Sequence, residues 1–90
     1  MNKTRRSEIQ RLMKRISEQK DIFTDLADTL DEMHDEEEET RDNIPESLQN
    51  SERYEVSDHA VQAMEDAQAC AEEILDQYEN LISSLEEAMM

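Results

Sequence analysis

Residues 9–33 read IQRLMKRISEQKDIFTDLADTLDEM, and the spacing of the apolar residues in this stretch decides the fold. Ile9, Ile16, Phe23 and Leu30 recur every seven residues, and Leu12, Gln19, Leu26 and Met33 follow each of them by three. Gln19 alone is polar. Steps of three and four keep side chains on one face of a 3.6-residue helix, and a sustained heptad repeat marks a helix packed along another helix. Met13, Ile22 and Ala27 widen the face. The pattern predicts a first helix over about residues 5–40, with Thr4 or Ser7 as its N-cap.

The second half of the chain repeats the pattern. Met64, Ala71, Tyr78 and Leu85 recur at seven, and Ala60, Ala67, Ile74, Leu81 and Ala88 take the other seam position. Leu75, Ile82 and Met89 broaden this face. Ser57 is a candidate N-cap, and Val56 with Val61 has the spacing of a hydrophobic staple. A second helix is expected over about 58–88. Between the helices, Asn43 and Glu46 have capping-box spacing around Pro45, which suits a first helical turn. This predicts a short helical turn within the connection 41–57, near 44–50, with Leu48 plugging the end. Two heptad helices joined by a moderate connection make an all-α antiparallel hairpin. The residual apolar face of helix 2 predicts dimerisation into a four-helix bundle.

Composition agrees. The 90 residues have no Gly, no Trp and one Pro, and the hydrophobic fraction is 36%. Without Gly, tight hairpin turns lose their usual residue, so a sheet fold is not expected. Ninety residues make one domain. Cys70 is the lone cysteine, which excludes an intramolecular disulfide and fits a reducing compartment. No apolar run follows Met1–Arg6 as a secretory signal would require, and no stretch approaches the roughly 20 apolar residues of a membrane span.

Charge narrows the function. The formal net charge is −16, unevenly distributed. Residues 1–20 hold seven bases against two acids, a net of +5; residues 21–90 hold two bases against 23 acids, a net of −21. Ten acids and no base lie in 21–39. Such a chain repels nucleic acid and anionic lipid, whose recognition needs Lys and Arg. The basic start (Arg5, Arg6, Arg11, Lys14, Arg15) is expected to pair with the acids of helix 2.

The candidate partner-binding surface is the acidic end at the connection: Asp31, Glu32, Asp35, Glu36, Glu37, Glu38, Glu39, Asp42, Glu46, Glu52, Glu55 and Asp58. Duplex DNA carries about one charge per 1.7 Å of axis. A helix rises about 1.5 Å per residue, so ten acids in 19 residues give a comparable order of charge density. No metal site or cofactor is expected. His34 with Asp35 and Glu38, or His59 with Glu55 and Asp58, has helical ligand spacing, but single carboxylates on exposed helices make poor cages and there is no Gly for a calcium loop. His34 reads as a packing residue at the seam edge. Catalysis is not expected: no nucleophile–base set is present, and Cys70 has no nearby cation to activate it.

The segment 42–53, Asp42-Asn43-Ile44-Pro45-Glu46-Ser47-Leu48-Gln49-Asn50-Ser51-Glu52-Arg53, resembles small acidic helical proteins of bacterial phages and mobile elements. There a similar N-[IL]-P-E-S-L-Q-x-S-E-R stretch links two Glu-rich helices. The resemblance covers this segment and the flanking helix–loop–helix layout. It implies a mobile-element product acting in a bacterial cytoplasm, a setting that includes anti-CRISPR and anti-restriction inhibitors imitating DNA. The expected function is therefore a non-enzymatic inhibitor. It would bind a basic nucleic-acid-binding protein, such as a CRISPR effector nuclease, in place of DNA. The alternative is a structural coiled-coil adaptor of a phage or mobile-element complex, binding through the apolar face of helix 2.

Overall fold

The computed structural model describes residues 1–90 and is all-helical. Helix α1 spans Lys3–Asp42, a 3-10 turn spans Glu46–Leu48, and helix α2 spans Glu52–Ala88. The two helices form the expected hairpin. The chain reverses with no residue at positive φ, so the lack of Gly costs the reversal nothing.

Both helices begin earlier than their patterns predict, because local caps decide where they start. Asn2 caps α1, upstream of both expected caps, Thr4 and Ser7: the Arg5 amide donates to Asn2 Oδ1 at 2.7 Å. α2 starts six residues before the expected position. Ser51 is its cap, with the Tyr54 amide 3.4 Å from Ser51 Oγ, and Ser51 Oγ itself donates to the Leu48 carbonyl. Glu52 and Glu55 then occupy the first turn, where carboxylates favour the helix dipole. Ser57, the predicted cap, lies buried inside α2. At the other end of the connection, α1 stops because the residue before Pro45 disfavours the helical region. Pro45 is extended, at φ −55° and ψ 141°, and the capping box expected of Asn43 and Glu46 does not form. The plug at this end is Ile44, 4% exposed, while Leu48 stands 48% exposed. Val61 is fully buried and Val56 points outward, so the predicted staple is not made.

The chain divides into two compact units, one of residues 1–25 with 72–90 and one of residues 26–71. Each is an antiparallel pair of helical segments. In the first, the open-end unit, Ile9, Met13, Ile16, Lys20 and Phe23 of α1 are at least half-buried, as are Leu75, Tyr78, Ile82, Leu85 and Met89 of α2. The Phe23 and Tyr78 rings meet at 6.1 Å and 49°, a tilted pairing that suits aromatic quadrupoles. In the second, the loop-end unit, α1 turns Ala27, Leu30, His34, Glu37 and Arg41 inward, and α2 turns Tyr54, Ser57, Val61, Met64, Gln68 and Ala71 inward.

These lists correct one seam column on each helix. The columns beginning at Ile9 and Met64 are seam, as expected. The second column of α1 is not Leu12, Gln19, Leu26 and Met33: Leu12 is 45%, Leu26 60% and Met33 50% exposed. Met13, Lys20, Ala27, His34 and Arg41 take its place. On α2, Val61, Gln68, Leu75, Ile82 and Met89 replace Ala67, Ile74, Leu81 and Ala88, while Ala60 stays part-buried beside Val61. The gain on α2 is clear, because the buried column is bulkier than the Ala-rich one and removes more apolar area from water. On α1 the chosen column is the more polar one. Its long side chains bury their stems while their heads reach partners on α2: Lys20 Nζ lies 3.0 Å from Glu79 Oε1, and Arg41 Nη1 2.9 Å from Asp58 Oδ1.

Candidate functional site

Charge is partitioned between the units. The open-end unit holds seven bases against ten acids, a net of −3; the loop-end unit holds two bases against 15 acids, a net of −13. All twelve carboxylates singled out from the sequence belong to the loop-end unit. The basic start of α1 does little to neutralise α2: Lys20 alone makes a cross-helix salt bridge, and Arg5 pairs with Glu8 on its own helix at 3.3 Å. α1 therefore runs against its own macrodipole, with bases and no acid in its first turn and Glu36–Glu39 near its end, each worth a few tenths to about 1 kcal/mol of opposition.

The twelve carboxylates sort into two groups. One group is engaged inside the unit. Asp31 Oδ1 accepts from Gln68 Nε2 at 2.7 Å, and Glu37 Oε1 accepts from the Ser57 hydroxyl at 2.8 Å. Asp42 and Asp58 share Arg41, and Asp35 and Glu38 flank His34. Arg41 is thereby held above the ordinary guanidinium range, first by its bond to Asp42 and then, against a cost from burial, by Asp58. The other group faces outward: Glu32, Glu36 and Glu39 on α1, Glu46 in the 3-10 turn, and Glu52 and Glu55 in the first turn of α2 are all exposed. Glu32, Glu36 and Glu39 follow one another by four and three residues, forming a stripe that rises about 1.5 Å per residue. Of the two bases, Arg41 is consumed within the unit; Arg53 is exposed.

His34 is not an edge residue. It is 9% exposed and sits in the seam. Its Nδ1 lies 3.1 Å from Asp35 Oδ1. A carboxylate can only accept here, so Nδ1 carries the hydrogen. Nε2 points between Glu38 Oε2 and Glu65 Oε1, each at 3.6 Å, and has no hydrogen-bond partner. The imidazole pKa is raised above 6.5, chiefly by the bond to Asp35, with burial opposing and Glu65 and Glu38 adding to the rise. Sequence spacing pairs His34 with Glu38 one turn away; Glu65 needs the hairpin register. His59, the other histidine considered, is exposed on α2.

The open-end unit carries a different feature. Leu12, Ile74 and Leu81 are exposed. Leu12, Ile16, Gln19 and Tyr78 line one shallow hollow, and Ile74, Gln77, Tyr78 and Leu81 line another, with Tyr78 common to both. The apolar surface read onto helix 2 is thus real at Ile74 and Leu81, while Leu75, Ile82 and Leu85 are turned into the seam. No helix is long and apolar enough to cross a membrane. No protein-family model matches this chain, and neither a curated protein nor a solved structure is similar to it.

Proposed function

We propose that this protein is a non-enzymatic inhibitor whose loop-end unit binds the basic, nucleic-acid-binding surface of another protein in place of nucleic acid. The observation that carries the reading is the outward stripe of Glu32, Glu36 and Glu39, joined by Glu46, Glu52 and Glu55, in a unit with 15 acids and two bases. Uncompensated acids cost stability through self-repulsion. A basic groove would relieve that repulsion and release counterions as it does with phosphate. The resemblance of residues 42–53 to phage and mobile-element proteins suggests a bacterial defence nuclease of the CRISPR effector type as the target, and a bacterial cytoplasm as the place of action. The test uses a guide-loaded effector nuclease and a labelled DNA duplex. The protein should displace the duplex, with affinity falling as salt rises. The triple change Glu32→Gln, Glu36→Gln, Glu39→Gln should weaken displacement at least tenfold and flatten the salt dependence. A triple variant that displaces DNA as well as the parent refutes the acidic-decoy reading.

A second reading, an adaptor or homodimer using the apolar side of the open-end unit, is favoured by exposed Leu12, Ile74 and Leu81 around Tyr78. It predicts that Ile74→Glu with Leu81→Glu abolishes self-association or adaptor binding and leaves the helix content intact. Light scattering tests the dimer alone: a monomer at high concentration removes the four-helix bundle and leaves adaptor binding as the only form of this second reading.

A further inference from the structure

The inward side of the loop-end unit contains a buried ring nitrogen that no protein hydrogen bond satisfies. His34 is buried in the seam, and its Nδ1–H is committed to Asp35. In the neutral ring the lone pair therefore sits on Nε2, aimed between two carboxylate oxygens on opposite helices. A lone pair facing two anions is repulsive until something positive lies between them. A proton on Nε2 could serve, but an N–H···O bond closes to about 2.7–3.2 Å, and both oxygens stand at 3.6 Å. The spacing suits a larger occupant. Ligands about 2.05 Å from a tetrahedral zinc ion lie about 3.3–3.4 Å from each other.

We infer that His34 Nε2, Glu38 and Glu65 form a binding site for one divalent transition-metal cation, with zinc the expected occupant. The three donor atoms all lie within 4.8 Å of one another. The two carboxylates are half-exposed at the mouth of the site, so small side-chain rotations close the remaining distance and water completes the coordination. One neutral imidazole and two carboxylates balance the two charges of the ion. Asp35 supplies the outer partner that metal-bound histidines characteristically have, a carboxylate on the other ring nitrogen that fixes tautomer and ring orientation. The donor set also selects the metal class. An imidazole nitrogen with two carboxylates suits zinc and its neighbours, whereas calcium needs six to eight oxygens and magnesium keeps most of its water. Because Glu38 is on α1 and Glu65 on α2, the ion cross-links the two segments of the unit. The inference does not depend on what the outward stripe binds.

The test is zinc titration of the full chain carrying Cys70→Ser, which removes the one thiol, followed by calorimetry and by the nitrogen resonances of the histidine rings. One zinc per chain is expected, with a large shift of His34 Nε2 and little change at Nδ1 or at His59. His34→Gln and Glu65→Gln should each lower the affinity at least tenfold, while Glu36→Gln and His59→Gln leave it unchanged. Equal losses in all four variants, or zinc binding without a His34 Nε2 shift, would mean a diffuse counterion cloud and overturn the site, as would the absence of saturable binding. The resonance measurement stands on the parent protein, so a variant that fails to fold does not remove the test. Failure here leaves DNA displacement by the outward stripe untouched, and failure of displacement leaves zinc binding untouched.

Discussion

The open-end and loop-end units are built from the same two helices on the same heptad steps, yet they are held together by different physics. In the open-end unit the seam columns are apolar apart from Lys20, with Ile9, Ile16, Phe23, Tyr78 and Ile82 at least half-buried and the Phe23 and Tyr78 rings paired. In the loop-end unit the same columns carry Glu37, Arg41, Ser57 and Gln68, each hydrogen-bonded across the helices, and His34, whose Nε2 faces Glu65 at 3.6 Å without a hydrogen bond. One unit is close to neutral and the other strongly anionic. The comparison teaches that a heptad column can stay in register with polar residues if each finds a partner, and that such a column trades hydrophobic stabilisation for polar groups able to do chemistry.

The largest expected effect lies at the apolar seam. Ile16→Ala removes a half-buried side chain of the open-end unit and should cost about 2 kcal/mol, the low end for a core Ile truncation because the site is part-exposed. Leu12→Ala, four residues earlier and outside the seam, should change stability by less than about 0.5 kcal/mol. Chemical denaturation reads both, and equal losses would break the column assignment. Next in size is Val61→Ala in the loop-end unit, expected to cost about 2 kcal/mol or slightly less from two buried methyl groups and little relaxation. Ser57→Ala should then cost about 1 kcal/mol, the net value of its hydrogen bond to Glu37. A null result there would show that the polar seam is incidental packing.

A smaller effect separates the units by pH. The folded-state pKa of His34 is raised. A raised histidine pKa means that the folded state binds the proton more tightly than the unfolded chain. That contribution is fully present below pH 6.5 and is lost as pH rises through the folded value. In metal-free protein, amide exchange corrected for its intrinsic rate should therefore be slower at pH 6 than at pH 8 in residues 30–68. His34→Gln should remove part of the difference, and the open-end unit should show less of it. The smallest effect is that of salt: 0.5 M sodium chloride should protect the loop-end unit more than the open-end unit, because screening relieves a net of −13 more than one of −3.

Much of this was legible in the residues. The hairpin follows from Ile9, Ile16, Phe23 and Leu30 and their counterparts Met64, Ala71, Tyr78 and Leu85. The acidic end follows from counting charges. The second column of each helix was not legible, because Leu12 and Met13 are both apolar and periodicity alone does not choose between adjacent columns. The choice rested on partners across the interface: Glu79 for Lys20 and Asp58 for Arg41. The helix starts were not legible for a related reason. Ser51 and Ser57 are both plausible caps by type, and only the course of the connection decides which has a free amide to receive.

By itself, then, the sequence determined the helices, their pairing and the segregation of charge, since these depend on local propensity, spacing and composition. The tertiary structure decided which carboxylates face out as a stripe and which turn in, and it brought Glu65 to His34. Those outcomes depend on the rotation and register of one helix against the other, and residues 31 positions apart become neighbours only when both are set.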